Sequence, residues 1–261
     1  MRFLNNIPPV TKNFLLLNVI LFLIMHVFIA TGGTDISQYL SAHYINTPLF
    51  KPYQLITHMF MHSASDIMHI FFNMFLLIMF GAQLERLWGA KRFFIFYFAA
   101  GIGAFALDNI VNGIQVNEHL NAMANAGINV DALNNLVLRS NSMSNTAVNE
   151  TFNQIVTSVN GQQDAIQYYR MGITSGVGAS GAIFGLLTAF AILFPNTELY
   201  LMFIPVPVKA KYLIGAYVAY EIYKGFSYSV DNINHLAHVG GALTGAILVL
   251  IWRKMDRQNF Y

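Results

Sequence analysis

The chain has 261 residues, of which 56% are hydrophobic and 10% are charged, and its formal net charge is +2. A soluble domain carries about a quarter charged residues, so this composition excludes an ordinary soluble domain and indicates a membrane protein. The small net charge gives no support for nucleic acid as a partner, and the lack of cysteine excludes disulfides, thiolate chemistry and Cys-ligated metal.

Six apolar segments are each close to the ~20 residues that a helix needs to cross a bilayer. They lie at about 13–31, 67–84, 92–110, 177–194, 210–226 and 236–252. The first segment lacks a small-residue cleavage site, so we expect a retained anchor and not a cleaved signal peptide. The predicted fold is an all-α bundle of six transmembrane helices. It forms one domain over residues 1–261, with a helical extramembrane insertion at about 112–171.

Basic residues predict the orientation of this bundle. Ten of the fourteen Lys and Arg side chains fall on one side if all six segments cross the membrane: Arg2, Lys12, Arg86, Lys91, Arg92, Lys209, Lys211, Arg253, Lys254 and Arg257. Cytoplasmic loops are enriched in Lys and Arg. We therefore expect a multi-pass protein of a bacterial inner membrane with both termini in the cytoplasm.

Polar residues cluster before and within the start of the second span. His69 and Asn73 are four residues apart and share a helix face. An Asn amide is a common donor to the oxyanion of a tetrahedral intermediate. Together with His58 and His62, His69 also suggests a metal site, because His pairs at helical spacing bind zinc. No Glu completes a zinc-protease motif, and His58 and His62 also suit a structural role in tying a loop to helix ends.

The insertion between the third and fourth spans carries an asparagine at every fourth residue in two runs, which is typical of two helices with polar stripes. These residues are Asn117, Asn121, Asn125 and Asn129, then Asn141, Asn145, Asn149 and Asn153. Their apolar neighbours would rest on the bilayer surface or on the bundle: Leu120, Ile128, Leu133, Val137 and Val148. The insertion is expected on the outer side, either as a decoration or as a substrate gate.

The fourth and sixth spans each contain a polar residue set among small residues near their predicted outer start. Ser180 lies near the predicted outer start of the fourth span, and His238 lies at a matching depth in the sixth. Glycines spaced four apart, 181/185 and 241/245, allow two helix backbones to approach closely. A serine becomes a nucleophile when a histidine takes its proton. The structural alternative is a serine hydroxyl bonded back to a carbonyl one turn earlier.

Two acidic residues near the fifth span are candidates for a third member of such a site, Glu221 and Asp231. We expect them instead to be helix-end or loop charges that face water.

Four motifs in this order resemble the rhomboid family of intramembrane serine proteases. They are His69-x-x-x-Asn73, Glu85-Arg86-Leu87-Trp88-Gly89, Gly178-Ala179-Ser180-Gly181, and Ala237-His238-x-x-Gly241-x-x-x-Gly245. The resemblance covers nearly all of the chain outside about 112–171. It implies hydrolysis of peptide bonds in or next to the transmembrane segments of membrane-protein substrates, within the bilayer and without cofactor or metal.

The resemblance also implies residue roles. Ser180 would be the nucleophile and His238 the general base, with no acidic third member. Asn73, His69 and the backbone N–H of Ser180 would form the oxyanion hole. Supporting positions would be Gly178, Gly181, Phe184 and Gly241.

The chain departs from the family pattern at two places. Phe184 stands where many members carry a tyrosine that packs on the catalytic histidine, so a ring can pack there without a phenolic hydrogen bond. The first outer loop, about 32–57, lacks the Trp-Arg pair of many members.

Three other functions are alternatives to this one. A soluble hydrolase elbow requires Gly-x-Ser-x-Gly after a strand, but residue 182 is Ala and no strand is predicted before Ser180. A catalytically inactive relative that binds membrane proteins remains an alternative, as does a transporter, because intramembrane His and Asn also relay protons or hold ligands. The intact serine and histidine argue against the former, and the charge-poor spans argue against an ion-coupled carrier.

Overall fold

The computed structural model describes residues 5–176, 178–201, 204–227 and 233–255, and these are mostly helical. The longer helices are α1 Pro9–Ala30, α4 Ile67–Leu76, α5 Ala82–Asn125, α6 Val130–Arg139, α7 Asn145–Ile155, α8 Gln162–Ile173, α9 Ser180–Leu193, α10 Ala210–Phe226 and α11 His235–Met255. Two single-turn helices, α2 Ser37–Leu40 and α3 Gln54–Thr57, lie in the loop after α1. Helices therefore stand at all six predicted apolar segments.

The predicted second and third spans form one nearly continuous helical path. A π-helical turn, Leu77–Gly81, joins α4 to α5. The path breaks at Gly89, whose φ of 78° and ψ of 163° are not helical. A positive φ is readily adopted only by glycine. The turn between the two predicted spans thus occurs at Gly89.

The third span is longer than predicted, because α5 continues to Asn125 and does not end near residue 110. No proline interrupts residues 110–125, and a single glycine within a helix costs only about 1 kcal/mol. The helix ends before Gly127, whose φ is +70°. The first part of the insertion is therefore an extension of a bundle helix.

Of the two helices predicted from the asparagine runs, the first lies mostly on the extension of α5, which contains Asn117, Asn121 and Asn125. The rest of the insertion contains three helices, α6 to α8. Asn129 caps α6 by accepting a hydrogen bond from the Ala132 N–H, so the asparagine repeat continues past a helix boundary. The apolar residues form a small core of their own: Val116, Met123, Ile128, Leu133, Val156, Ala165 and Tyr168. This core shows that the insertion packs largely on itself.

A short antiparallel hairpin, β1 Glu198–Leu201 and β2 Ile204–Lys209, connects α9 to α10. No pattern in the sequence predicted this hairpin. Its second strand contains two prolines, which is compatible with an edge strand of a two-stranded sheet.

Helix α9 lies at the centre of the bundle, and its contacts with α5 and α11 are close. A Cβ atom at Gly241 would overlap the carbonyl oxygen of Gly181, and one at Gly245 would lie 2.6 Å from the oxygen of Gly185. On the other side of α9, a Cβ atom at Gly185 would lie 2.6 Å from the Ala100 side chain of α5. The predicted close approach of the two glycine pairs is therefore confirmed.

Three helical stretches in the described part of the chain are long and apolar enough to cross a membrane: Pro9–Ala30, Ile67–Asn125 and His235–Met255. Helix α9 is apolar but shorter. On α1, large apolar side chains such as Leu23 and Val27 are more than half exposed. Contiguous exposed apolar surface of this kind is typical of contact with lipid. The protein is therefore an all-α membrane protein. That it crosses the membrane six times stays a prediction.

The glycine contacts give a prediction for stability. Gly245→Ala should lower the free energy of unfolding by about 1–3 kcal/mol, because the added methyl group meets the α9 backbone, which cannot move aside as a side chain can. Gly215→Ala on α10 is the matched control, since no atom beyond the neighbouring backbone of its own helix lies within 4 Å of its Cβ position. Thermal unfolding in one detergent compares both variants. A Gly245→Ala melting temperature equal to that of Gly215→Ala would contradict the close packing of α9 and α11.

Candidate active site

Ser180 is the first residue of α9, and the chain before it is held by the loop after α1. The Gly178 N–H donates to the His58 carbonyl oxygen at 3.0 Å, and Gly176 exchanges two backbone hydrogen bonds with Ala42. Gly178 has a φ of +117°, which an L-residue rarely adopts. This segment therefore reaches the helix start by a turn that favours glycine.

Ser180 and His69 face the same space. A Cβ atom at Gly178 would lie 3.3 Å from His69 Nε2 and 3.5 Å from Ser180 Oγ. Gly178 thus leaves room between a hydroxyl and an imidazole that come from α9 and α4. Both side chains are half-buried.

His238 lies on α11 and stacks on Phe184 of α9. The two ring centroids are 4.2 Å apart and the rings are 15° from parallel. Phe184 is one helical turn after Ser180, so the imidazole is placed beside the start of α9. The expectation that a phenylalanine ring packs on His238 is confirmed.

Asn73 lies on α4, one turn after His69. Its side chain is 5% exposed, and its buried Nδ2 atom has no hydrogen-bond acceptor among the described residues. A buried donor without a partner costs about 1–3 kcal/mol, and such groups are rare in folded proteins. At the start of the same helix, the Asp66 side chain accepts a hydrogen bond from the His69 N–H and so fixes where α4 begins.

Glu221 was expected to face water, and this prediction is wrong. It lies on α10 with a side chain that is 2% exposed. Its Oε2 atom accepts hydrogen bonds from His238 Nδ1 at 2.8 Å and from His235 Nδ1 at 2.6 Å. The hydrogen bonds from these two donors on α11 offset the desolvation free energy of the buried carboxylate. Without such partners, a buried carboxylate would be protonated. Asp231 lies outside the described residues.

Two features of the sequence indicate this cluster. An ionisable residue within an apolar segment is by default a functional candidate that faces the bundle interior. His235 and His238 are three residues apart and therefore share a helix face. Together, these two features predict that the Glu221 side chain faces the bundle interior and pairs with the two histidines of α11.

The predicted metal alternative of His58, His62 and His69 finds little support in the geometry. His58 Nδ1 is 2.6 Å from the Gln54 carbonyl oxygen, and this ring takes the structural role in the loop. His62 packs against His69 with 5.3 Å between ring centroids, and burial lowers the pKa of His62 to about 3.

A different trio in the described part of the chain could hold a metal ion, namely Glu221, His235 and His238. Their ligand atoms lie within 4.8 Å of one another, and all three side chains are buried. In the structure, the carboxylate already pairs with both Nδ1 atoms. A metal ion would have to displace both Nδ1 protons, because a histidine nitrogen binds metal only when deprotonated.

The sequence of this chain is similar to that of known proteins over the same segments. The profile of the Rhomboid domain family matches residues 50–116 and 140–255, which together are more than half of the chain. Rhomboid protein 1, mitochondrial, from Saccharomyces cerevisiae is 37% identical over 71 residues, which are 27% of this chain and 20% of the yeast protein. The chain therefore matches about a fifth of that relative's length.

Proposed function

The chain belongs to the rhomboid family, and on that premise we propose that it is an intramembrane serine endopeptidase that hydrolyses peptide bonds in or next to the transmembrane segments of other membrane proteins. The observation that carries this proposal is the stacking of His238 on Phe184, one turn after Ser180. It supports a Ser180/His238 pair because it brings the imidazole to the helix end that carries the hydroxyl. The chemistry needs no cofactor and no metal.

The proposed reaction begins when Ser180 Oγ attacks the carbonyl carbon of the scissile bond. His238 Nε2 takes the hydroxyl proton and later gives it to the leaving amine. Water then attacks the acyl-enzyme, with the same imidazole as general base, and releases the second product. The proton removed from Ser180 leaves with the amine product, and the proton removed from water returns to Ser180 Oγ when the acyl group is released.

The developing oxyanion requires donors that are in place before the reaction. Asn73 Nδ2 supports this role because it is buried and has no acceptor among the described residues. The backbone N–H of Ser180 is a second donor, since the first N–H groups of a helix have no intrahelical partner. His69, beside Ser180 across Gly178, is the third. Each donor of this type contributes roughly 3–4 kcal/mol in the transition state.

Hydrolysis inside a bilayer needs water at the site. Polar groups at membrane depth occur where protein lines a wet cavity, and Ser180 and His69 are only half-buried.

A substrate helix hides its peptide bonds, so a cleavable segment must unwind. Substrates with Gly or Pro near the cut should therefore be preferred, because both residues weaken helices. We propose that the insertion is part of a single domain and either decorates it or gates substrate entry.

Loss of either member of the proposed pair should abolish activity. Ser180→Ala and His238→Ala are each expected to end cleavage of a model single-pass substrate in proteoliposomes. In detergent, wild type should react covalently with a fluorophosphonate probe, whereas Ser180→Ala should not. Circular dichroism and melting temperature control for folding. Cleavage by purified Ser180→Ala would rule out a serine mechanism, and a wild-type protein that neither cleaves nor reacts would favour the inactive-binder or transporter alternatives.

Asn73→Ala should lower kcat by about 10²-fold or more with little change in KM, since a donor aimed at the oxyanion acts mainly in the transition state. The melting temperature should stay close to that of wild type, because the Nδ2 atom makes no hydrogen bond whose loss would destabilise the fold. Both quantities are measured on one detergent preparation. A less stable but fully active variant would remove Asn73 from the site.

The proposed orientation places both termini in the cytoplasm and the insertion outside. Because the chain has no cysteine, single cysteines report topology directly. Asn135→Cys in the insertion should react with an impermeant maleimide in intact cells, and Lys91→Cys should react only after lysis; both positions are exposed. The reverse labelling pattern would mean that the bundle has the opposite orientation in the membrane. Labelling of both cysteines in intact cells would contradict the prediction that one span separates residues 91 and 135.

A further inference from the structure

We propose that Glu221 is a positioning residue that holds His238 in the tautomer and orientation required of the general base, so that the site works as a linked Ser180–His238–Glu221 series. This inference rests on the proposed function. It differs from the expectation of a pair without an acidic third member, and its basis is the 2.8 Å hydrogen bond between His238 Nδ1 and Glu221 Oε2.

Contacts from two helices restrain the imidazole of His238. Phe184 of α9 lies parallel to one face of the ring and limits tilting. Glu221 of α10 accepts a hydrogen bond in the plane of the ring and limits rotation about χ2. A base held in this way loses little conformational entropy when substrate arrives.

The carboxylate also determines which nitrogen carries the proton. An ionised carboxylate is only an acceptor, so each imidazole nitrogen that contacts it must be an N–H donor. With the proton on Nδ1, the lone pair of His238 Nε2 is available to take the proton of Ser180 Oγ. When that proton arrives, the imidazolium carries a positive charge next to a buried negative charge, which stabilises it strongly in a low-dielectric interior.

His235 completes the arrangement from the other side of the carboxylate. Its Nδ1 is 2.6 Å from the same Oε2 atom, and its side chain is as buried as that of Glu221. The second donor favours the ionised form of the carboxylate and fixes its direction. His235 therefore acts on Glu221, while Glu221 acts on His238.

Other titratable groups surround this cluster and contribute to its charge balance. Tyr217 of α10 packs on Phe184 with 4.8 Å between ring centroids, and Tyr220 packs edge-on against His235. His69 of α4 lies close enough to interact electrostatically with His238. None of these groups supplies a negative charge at neutral pH, so Glu221 is the anion that balances a protonated His238 among these neighbours.

Glu221→Gln is the decisive substitution, because it keeps the size of the side chain and removes its charge. We expect kcat/KM for a model substrate to fall about 10²-fold to 10⁴-fold, as for removal of the carboxylate of a serine-protease triad. The acid limb of the kcat/KM profile should move to lower pH, because the charge that favours a protonated imidazole is gone. Glu221→Asp should recover part of the activity, and it remains informative if the Gln variant does not fold.

Glu85→Gln is the matched control. Glu85 is the other buried glutamate of the bundle, and it accepts hydrogen bonds from the first turn of α1 at Val10 N, Thr11 N and Thr11 Oγ1. Its substitution should lower the melting temperature while leaving the pH profile and the activity per folded molecule unchanged. The contrast separates the loss of any buried carboxylate from the loss of this one.

A readout that is independent of turnover is the ¹⁵N NMR spectrum of histidine-labelled protein, in which the His238 signal is identified by its absence from His238→Ala. We expect the Nδ1–H tautomer in wild type and a mixture of tautomers in Glu221→Gln.

A folded Glu221→Gln variant with the wild-type pH profile and kcat/KM would overturn the proposal. Stoichiometric zinc in purified wild type that is lost in this variant would also overturn it. A wild type that never cleaves would instead defeat the proposed function, whereas the expected tautomer change would still support the positioning contact.

Discussion

The close backbone contact between α9 and α11 is the constraint on which the rest of the site depends. Each glycine pair lets one helix lie directly on the other, with Gly241 against Gly181 and Gly245 against Gly185. Any side chain larger than hydrogen would separate the helices, and a separation of even 1 Å at a reacting centre is costly to catalysis. Because Ser180 starts one helix and His238 lies on the other, the glycines determine the distance between hydroxyl and imidazole.

The two buried glutamates of this apolar bundle are each matched by hydrogen-bond donors. Glu85 accepts three hydrogen bonds from the start of α1, and Glu221 accepts two from the histidines of α11. The buried Asn73 amide is different, because its Nδ2 atom has no acceptor among the described residues. A buried donor without an acceptor costs free energy in the resting protein, and a donor that meets the oxyanion would gain its hydrogen bond in the transition state.

Much of the helical framework could be predicted from the sequence, because apolar runs mark the bundle helices, three stretches of which are long and apolar enough to cross a membrane. Residues 210–226 form a helix with the predicted bounds, and the glycine spacing correctly indicated the closest helix contact. The long extension of α5 could not be predicted from hydropathy, since polar residues after 110 end a predicted span without ending a helix. No pattern in the sequence predicted the hairpin before α10, whereas the pairing of Glu221 with α11 was indicated by an ionisable residue in an apolar segment and by two histidines three residues apart. The contact between Phe184 and His238 was expected from the resemblance to the rhomboid family and not from the residue pattern itself.

The most direct test of the account is the structure of the protein after reaction with a fluorophosphonate. We expect phosphorus bonded to Ser180 Oγ, with the phosphonyl oxygen about 2.7–3.1 Å from Asn73 Nδ2 and from the Ser180 backbone nitrogen. We also expect that His238 Nδ1 still donates to Glu221. An adduct on another residue, or a phosphonyl oxygen directed away from Asn73 with His238 turned from Glu221, would contradict the account.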